Sequence, residues 1–175
     1  MIPAVVLAAG ASSRFGSPKQ RILLPAVLER LAQSPVDDVV VVLGAHEVET
    51  DVRVVRCPDW QLGPGASLRC GLAAVPEAAE AAIVVLADGP DLAPAAVERL
   101  LVAWRAGGGH LYAATYGGVR SHPVLIEREL WDEVPDEGFR VMEAILVPCD
   151  DLGAPGDVDF ADDLPGRFGT GTDEH

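Results

Sequence analysis

Lys19 is the only lysine in the chain; the other twelve of its thirteen basic residues are arginine. It lies near the end of LAAGASSRFGSPKQ (residues 7–20), where small residues follow an apolar run and Arg14 sits between Gly10 and Gly16. Small residues such as Ala8, Ala9, Gly10 and Ala11 let a backbone approach a ligand closely, and their successive N–H groups can line an anion-binding concavity. Ser12 and Ser13 add hydroxyl donors, while Arg14 and Lys19 add charge. A P-loop has a shorter interval between its glycines and a lysine directly after the second, and the dinucleotide fingerprint G-x-G-x-x-G is absent. The stretch therefore reads either as a triphosphate cradle of another kind or as a Gly/Ser turn with solvated basic residues.

Carboxylates come next. Asp88, in VVLADGPDL, follows a valine-rich run and precedes Gly89-Pro90. A carboxylate there suits Mg²⁺ held against substrate phosphates, or a turn; Asp91, just before Pro94, better fits the helix-start role. Asp157 and Asp159, in GDVDFADDL, would point to one side of an extended chain and could complete such a site, or belong to a solvated acidic loop. DWQLGPGASLRCGL (59–72) is a Gly/Pro loop entering a helix whose first turn carries Ser67 and Arg69, an anion-accepting end or a plain cap. His122, in SHPVLI, is placed equally well to approach an acceptor or to open a strand.

Four short, nearly continuous apolar runs must position these groups: 3–8, 38–43, 52–56 and 82–87. Such runs read as parallel strands buried on both faces. Helices are expected over 26–33, 67–75 and 94–106, the last bounded by Pro94 and Gly107–Gly109. Strands alternating with helices make a doubly wound α/β sheet, whose ligands sit beyond the carboxyl ends of the strands. Residues 110–116 and 122–127, split by Gly117-Gly118, predict a strand pair. A helix over 139–146 and a strand near 147–149 follow. Residues 1–164 thus form one domain and 165–175 a tail.

Composition narrows the partners. A net charge of −14 argues against nonspecific nucleic-acid binding. The chain shows neither a signal segment nor an apolar run long enough for a membrane span, so a cytoplasmic protein is expected. Cys57, Cys70 and Cys149 have no zinc or disulfide-framework spacing and read as reduced core or edge residues. His46, His110 and His175 share no metal-site spacing.

In order along the chain, these segments resemble the MobA-like NTP-transferase family, and within it the molybdenum cofactor cytidylyltransferases. LAAGASSRFGSPKQ is similar to the LAAGxSxRMGxxKxL signature, with Phe15 for Met; VVVVLGA matches the second strand. DWQLGPGASLRCGL, LADGPDL and GDVDFADDL resemble three further family motifs. The resemblance implies a single Rossmann-like, doubly wound, mixed but mostly parallel sheet of the nucleotide-diphosphosugar transferase type, which moves CMP from CTP to molybdopterin or its molybdenum form. It implies Lys19, Arg14 and Asp88 as catalytic residues. Leu7, Ala8, Ala9, Gly10, Ala11, Ser12, Gly65, Ser67, Gly71 and His122 would bind substrate, and Asp88, Asp159 and Asp157 would hold Mg²⁺. A molybdoenzyme or its chaperone would be a partner. The chain departs from the family at Gly89 (usually Gln), Ser121 (usually Gly), Phe160-Ala161 (usually Thr-Pro) and in the short segment after Lys19. Alternatives are GTP as donor, a sugar phosphate or phospholactate as acceptor, or nucleotide binding without turnover.

Overall fold

The computed structural model describes residues 1–9 and 19–156, with side chains from residue 21 in the second span. Strand β1 (Pro3–Ala8) is followed by helix α1 (Lys19–Ala32), β2 (Asp38–Leu43), β3 (Arg53–Arg56), α2 (Pro64–Ala74), β4 (Ala81–Leu86) and α3 (Pro94–Ala106). The chain continues through β5 (Leu111–Tyr116), β6 (Val119–Glu127) and β7 (Ile145–Pro148), with 3-10 turns at Trp60–Leu62, Arg128–Glu133, Gly138–Val141 and Asp150–Leu152. The strands form one sheet in the order β3-β2-β1-β4-β6-β5-β7. β3, β2, β1 and β4 are mutually parallel, β6 runs antiparallel to both neighbours, and β7 is parallel to β5. The sheet is mixed and mostly parallel, as expected.

Alternation along each central strand divides the core into two layers. Ala4, Val6, Val41, Ile83 and Val85 face α1 and α3, against Leu24, Val27, Leu31, Val97 and Leu100. Val5, Val40, Val42, Ala82 and Val84 face α2 and the 131–139 region, against Leu68, Leu72, Trp131 and Phe139. Period-two side chains on strands covered from both sides need no polar face, which explains the unbroken valine runs. Gly71 shows how close the layers are: a Cβ there would lie 2.5 Å from Val5 Cγ1 and 2.7 Å from Val42 Cγ2.

Four sequence expectations need correction. The helix expected at 26–33 begins at Lys19 and runs through an exposed Pro25. Its buried stripe of Leu23, Leu24, Val27 and Leu31 spans the proline. The strand expected at 52–56 is not buried: β3 is an edge, with Arg53 and Arg56 exposed and paired to Asp38 and Glu47. The helix expected at 139–146 is a 3-10 turn leading into β7. Here strand pairing of Tyr112–Thr115 with Ile145–Pro148 overrides local propensity. Arg120 also takes the carbonyls of Phe139 (2.8 Å) and Met142 (2.6 Å), both of which a helix over 139–146 would have used internally. Finally, Cys57 and Cys70 are joined as a disulfide across 13 positions, because the chain turns back between β3 and α2. Cys149 alone is free among the described cysteines and is buried.

At the far end of the β5–β6 pair, His110 contacts Glu127, which also accepts from Trp104 Nε1. This hydrogen bond raises the imidazole pKa above its ordinary value. Glu129 lies 3.5 Å from the same ring nitrogen. No helix among the described residues is long and apolar enough to cross a membrane.

Candidate active site

The parallel strands end level with one another. Ala8 pairs with Leu43 and Leu7 with Leu86. The Ala87 N–H donates to Leu7 O at 3.0 Å. Ala9, Gly44 and Ala87 therefore leave the sheet side by side, at the carboxyl ends of β1, β2 and β4, where ligands of such sheets bind. Glycine is required at 44: a Cβ would meet Ala9 O at 2.7 Å and Trp60 Cγ at 2.5 Å. Trp60 thus packs over the point where β1 gives way to its loop. VVVVLGA displayed this glycine, but its contact with Trp60 crosses from one loop to another and has no local signal.

Leu7, Ala8 and Ala9 occupy this rim, the two alanines buried at 3% and 5% exposure. Lys19 is the first residue of α1, which returns from the rim. Gly10, Ala11, Ser12 and Arg14 lie outside the described residues, as do Asp157 and Asp159.

Asp88 stands two residues beyond β4, half-buried, in a turn closed by Gly89 N–H to Leu86 O and Leu92 N–H to Gly89 O, each 3.3 Å. The chain returns to this turn near its C-terminal end. Asp91 N–H donates to Pro155 O at 2.9 Å. A Cβ on Gly89 would lie 3.2 Å from Pro155 Cβ, and one on Gly156 3.7 Å from Asp91 Oδ2. Asp157 is the next residue in the chain.

α2 starts at the same rim. Gly63 is its N-cap and Pro64 its first residue, so Ser67 is not the cap; it is buried one turn inside, at 3% exposure. The helix start sits on the 134–138 turn. Gly65 N–H donates to Asp136 O at 2.9 Å, and a Cβ on Gly65 would fall 1.6 Å from Pro135 O. Arg69 extends this contact, donating to Val134 O at 2.6 Å and Asp136 Oδ1 at 2.5 Å. Close packing requires glycine at both 65 and 71.

Because β6 is antiparallel, its beginning lies on this rim, and so does His122. The ring lines a small cavity with Val85, Leu86, Gly89, Leu92 and Pro155, tilted 55° to Phe139 at 6.5 Å between centroids. Tyr116 donates its hydroxyl to His122 O at 3.3 Å. Burial, aided by the Arg120 charge, lowers the His122 pKa to about 4, so the imidazole is neutral at neutral pH. Arg120, whose own pKa burial lowers, is an organiser that no motif marked.

The His122 pKa has a consequence for stability. Its folded value lies below its unfolded one, so the unfolded chain alone binds a proton between them. The stabilisation is full above about pH 6.5 and declines as pH falls towards 4, by about 3 kcal/mol in all. Urea denaturation across this range should show that slope, and His122→Asn should flatten it. An equal slope in the variant would place the titration elsewhere.

Comparison with known proteins agrees with this geometry. A family profile described as MobA-like NTP transferase domain matches residues 4–138. Among solved structures, Rv0371c from Mycobacterium tuberculosis H37Rv is 29% identical, with 93% of this chain and 94% of that one covered and a TM-score of 0.76. A structure of Rv0371c in complex with manganese is 28% identical, covering 93% and 95% of the two chains, with a TM-score of 0.70. Molybdopterin-guanine dinucleotide biosynthesis protein A from Archaeoglobus fulgidus shares the fold at 14% identity, 92% and 94% coverage and a TM-score of 0.69. A search of curated proteins finds no match.

Proposed function

The chain belongs to the MobA-like NTP transferase family and is a nucleotidyltransferase; from this premise we propose that it moves CMP from CTP to a phosphorylated acceptor, molybdopterin or its molybdenum form. The observation that carries this reading is the shared rim. The Leu7–Leu86 register sets Asp88 beside Ala9 at the end of β1, with α2 opening onto the same edge.

In the reaction an acceptor phosphate oxygen bonds to the α-phosphorus of the nucleotide, the α–β bridging bond breaks, and its electron pair leaves on pyrophosphate. The acceptor phosphate is already an anionic nucleophile, so the protein's task is positioning and charge neutralisation. Residues 9–12 would cradle the phosphates with backbone N–H groups, and Lys19 and Arg14 would offset their charge. Gly65 and Ser67 would border the nucleotide at the start of α2, and His122, neutral at working pH, would face the acceptor as a hydrogen-bonding rather than a charged group.

Asp88 offers a carboxylate at the strand end that suits a hard divalent cation, and Asp157 follows Gly156 in the sequence. Asp88, Asp159 and Asp157 would hold Mg²⁺, which when bound supplies positive charge against the triphosphate.

A second reading concerns the acceptor. Pro155 packs against the point where a side chain at position 89 would project, 3.2 Å from that Cβ, so this part of the rim is shaped by the glycine. A sugar phosphate or phospholactate as acceptor, or GTP as donor, belongs to this reading.

The test is a thermal-shift series with CTP, GTP, ATP and UTP, each with Mg²⁺ or Mn²⁺, followed by pyrophosphate release against the candidate acceptors. Stabilisation by CTP with Mg²⁺ and turnover with molybdopterin is the expected result; no shift with any nucleotide would sink the proposal. Lys19→Arg is expected to raise the nucleotide KM about tenfold, because a planar fork does not replace a compact ammonium in a tight cradle. Steady-state kinetics checks this, and an unchanged KM removes Lys19 from the phosphates.

A further inference from the structure

We propose that Cys57 and Cys70 form a reversible disulfide that staples the loop between them, so that the protein's thiol–disulfide state sets how well ordered the start of α2 is. Any effect on nucleotide affinity rests on the function proposed above; the staple itself does not.

The two cysteines bracket the segment that carries Trp60 and Gly63 and, in the first turns of α2, Ser67. Cys57 is 2% exposed and anchored to the sheet, its N–H donating to Leu43 O at 2.8 Å at the end of β2. Cys70 lies in α2 and is the more exposed of the pair, with their Cα atoms 5.8 Å apart, inside the range a disulfide spans. The polar contacts of Gly65 and Arg69 hold the start of α2 to the 134–138 turn on one side. The disulfide is its covalent link to the sheet rim on the other. Cys149 packs in the opposite core layer from Cys57, so it cannot exchange with the pair inside the folded protein.

The chemistry balances with small thiols and disulfides. In reduction a dithiol's thiolate bonds to Cys70 Sγ, the S–S bond breaks, and the electron pair leaves on Cys57 Sγ, which takes up a proton; the reductant's second thiol then releases Cys70. In oxidation the Cys70 thiolate attacks glutathione disulfide and expels one glutathione. The Cys57 thiolate then displaces the second, so two thiols are oxidised as one glutathione disulfide is reduced. Closing the loop removes conformations from residues 58–69, and opening it restores them.

The experiment equilibrates the protein at set ratios of glutathione to its disulfide. Free thiols are then counted by intact mass after acid quench and alkylation in denaturant, and hydrogen exchange is measured over residues 58–69. Oxidised protein should carry one alkylated cysteine and reduced protein three, with amide protection over the loop about tenfold higher when oxidised. Cys70→Ser, at the half-buried position, should exchange like reduced wild type at every ratio. CTP and GTP titrations with Mg²⁺ should give affinities about fivefold tighter in the oxidised form. Three alkylated cysteines at every ratio overturn the proposal, as does a disulfide that forms without changing exchange in the loop. Loss of nucleotide binding in both states, with the exchange difference intact, overturns the function proposed above and leaves the staple standing.

Discussion

Asp88→Asn is expected to lower turnover by about a thousandfold while leaving the protein folded. The substitution keeps the shape of the side chain and one carbonyl oxygen but removes its charge, so the loss reports charge at the end of β4 and not packing. Asp88 is half-buried in a turn whose backbone is closed by its own hydrogen bonds, so the turn itself does not rest on the carboxylate. Asp91→Asn is the control. It lies three residues on in the same turn, exposed, and its backbone N–H donates to Pro155 O. Its turnover should stay within about threefold of wild type. Pyrophosphate release measured beside unfolding curves separates the two effects. An Asp88→Asn enzyme with a tenth or more of wild-type turnover would remove this carboxylate from the reaction.

Gly65→Ala should produce the largest loss of stability of any single methyl added to the described structure, about 3–5 kcal/mol. The new Cβ would lie 1.6 Å from Pro135 O and 2.6 Å from Pro135 C, and both belong to backbone that cannot swing aside. Either α2 lifts from the 134–138 turn or that turn retreats. Both break the Gly65–Asp136 hydrogen bond and disturb the carbonyls that Arg69 and Arg120 hold. A melting temperature about 10 °C lower is the matching thermal result. Gly117→Ala provides the contrast, since a Cβ there meets nothing within 4 Å, although its φ of +59° favours glycine. It should cost about 1 kcal/mol. Equal losses at the two positions would show that the 134–138 backbone gives way at little cost, so that close approach does not decide the matter.

How legible these features were in the sequence depends on the range over which each is determined. α3 has the boundaries that Pro94 and Gly107 announced, and β1 and β2 those of their apolar runs. In each case burial on both faces writes itself into consecutive residues. β3 misled because valine beside arginine suits an edge as well as an interior, and only the absence of a neighbour beyond it decides. The 139–146 stretch misled for the opposite reason, since its fate is set by β5 and by Arg120. At the candidate site, Ala8, Ala9 and Asp88 were legible together because strand ends in a parallel sheet share one rim. The docking of α2 on the 134–138 turn was not. The Arg69–Asp136 contact spans 67 positions, and its acceptor sits in a turn with no motif of its own.

The insertion of β6 between β4 and β5 also dictates an order of assembly. Both neighbours precede β6 in the chain, so as the polypeptide emerges β4 keeps an open outer edge and β5 has no place in the sheet. The edge cannot be filled by β5 alone. The β5–β6 hairpin, turning at Gly117-Gly118, is expected to close first from nearby residues and then to add to β4 as a unit, with β7 completing the far side. The strands that lead to Ala9 and Asp88 can therefore meet on the ribosome before His122 joins them, so the β1–β4 part of the rim can form one step ahead of the part that His122 lines.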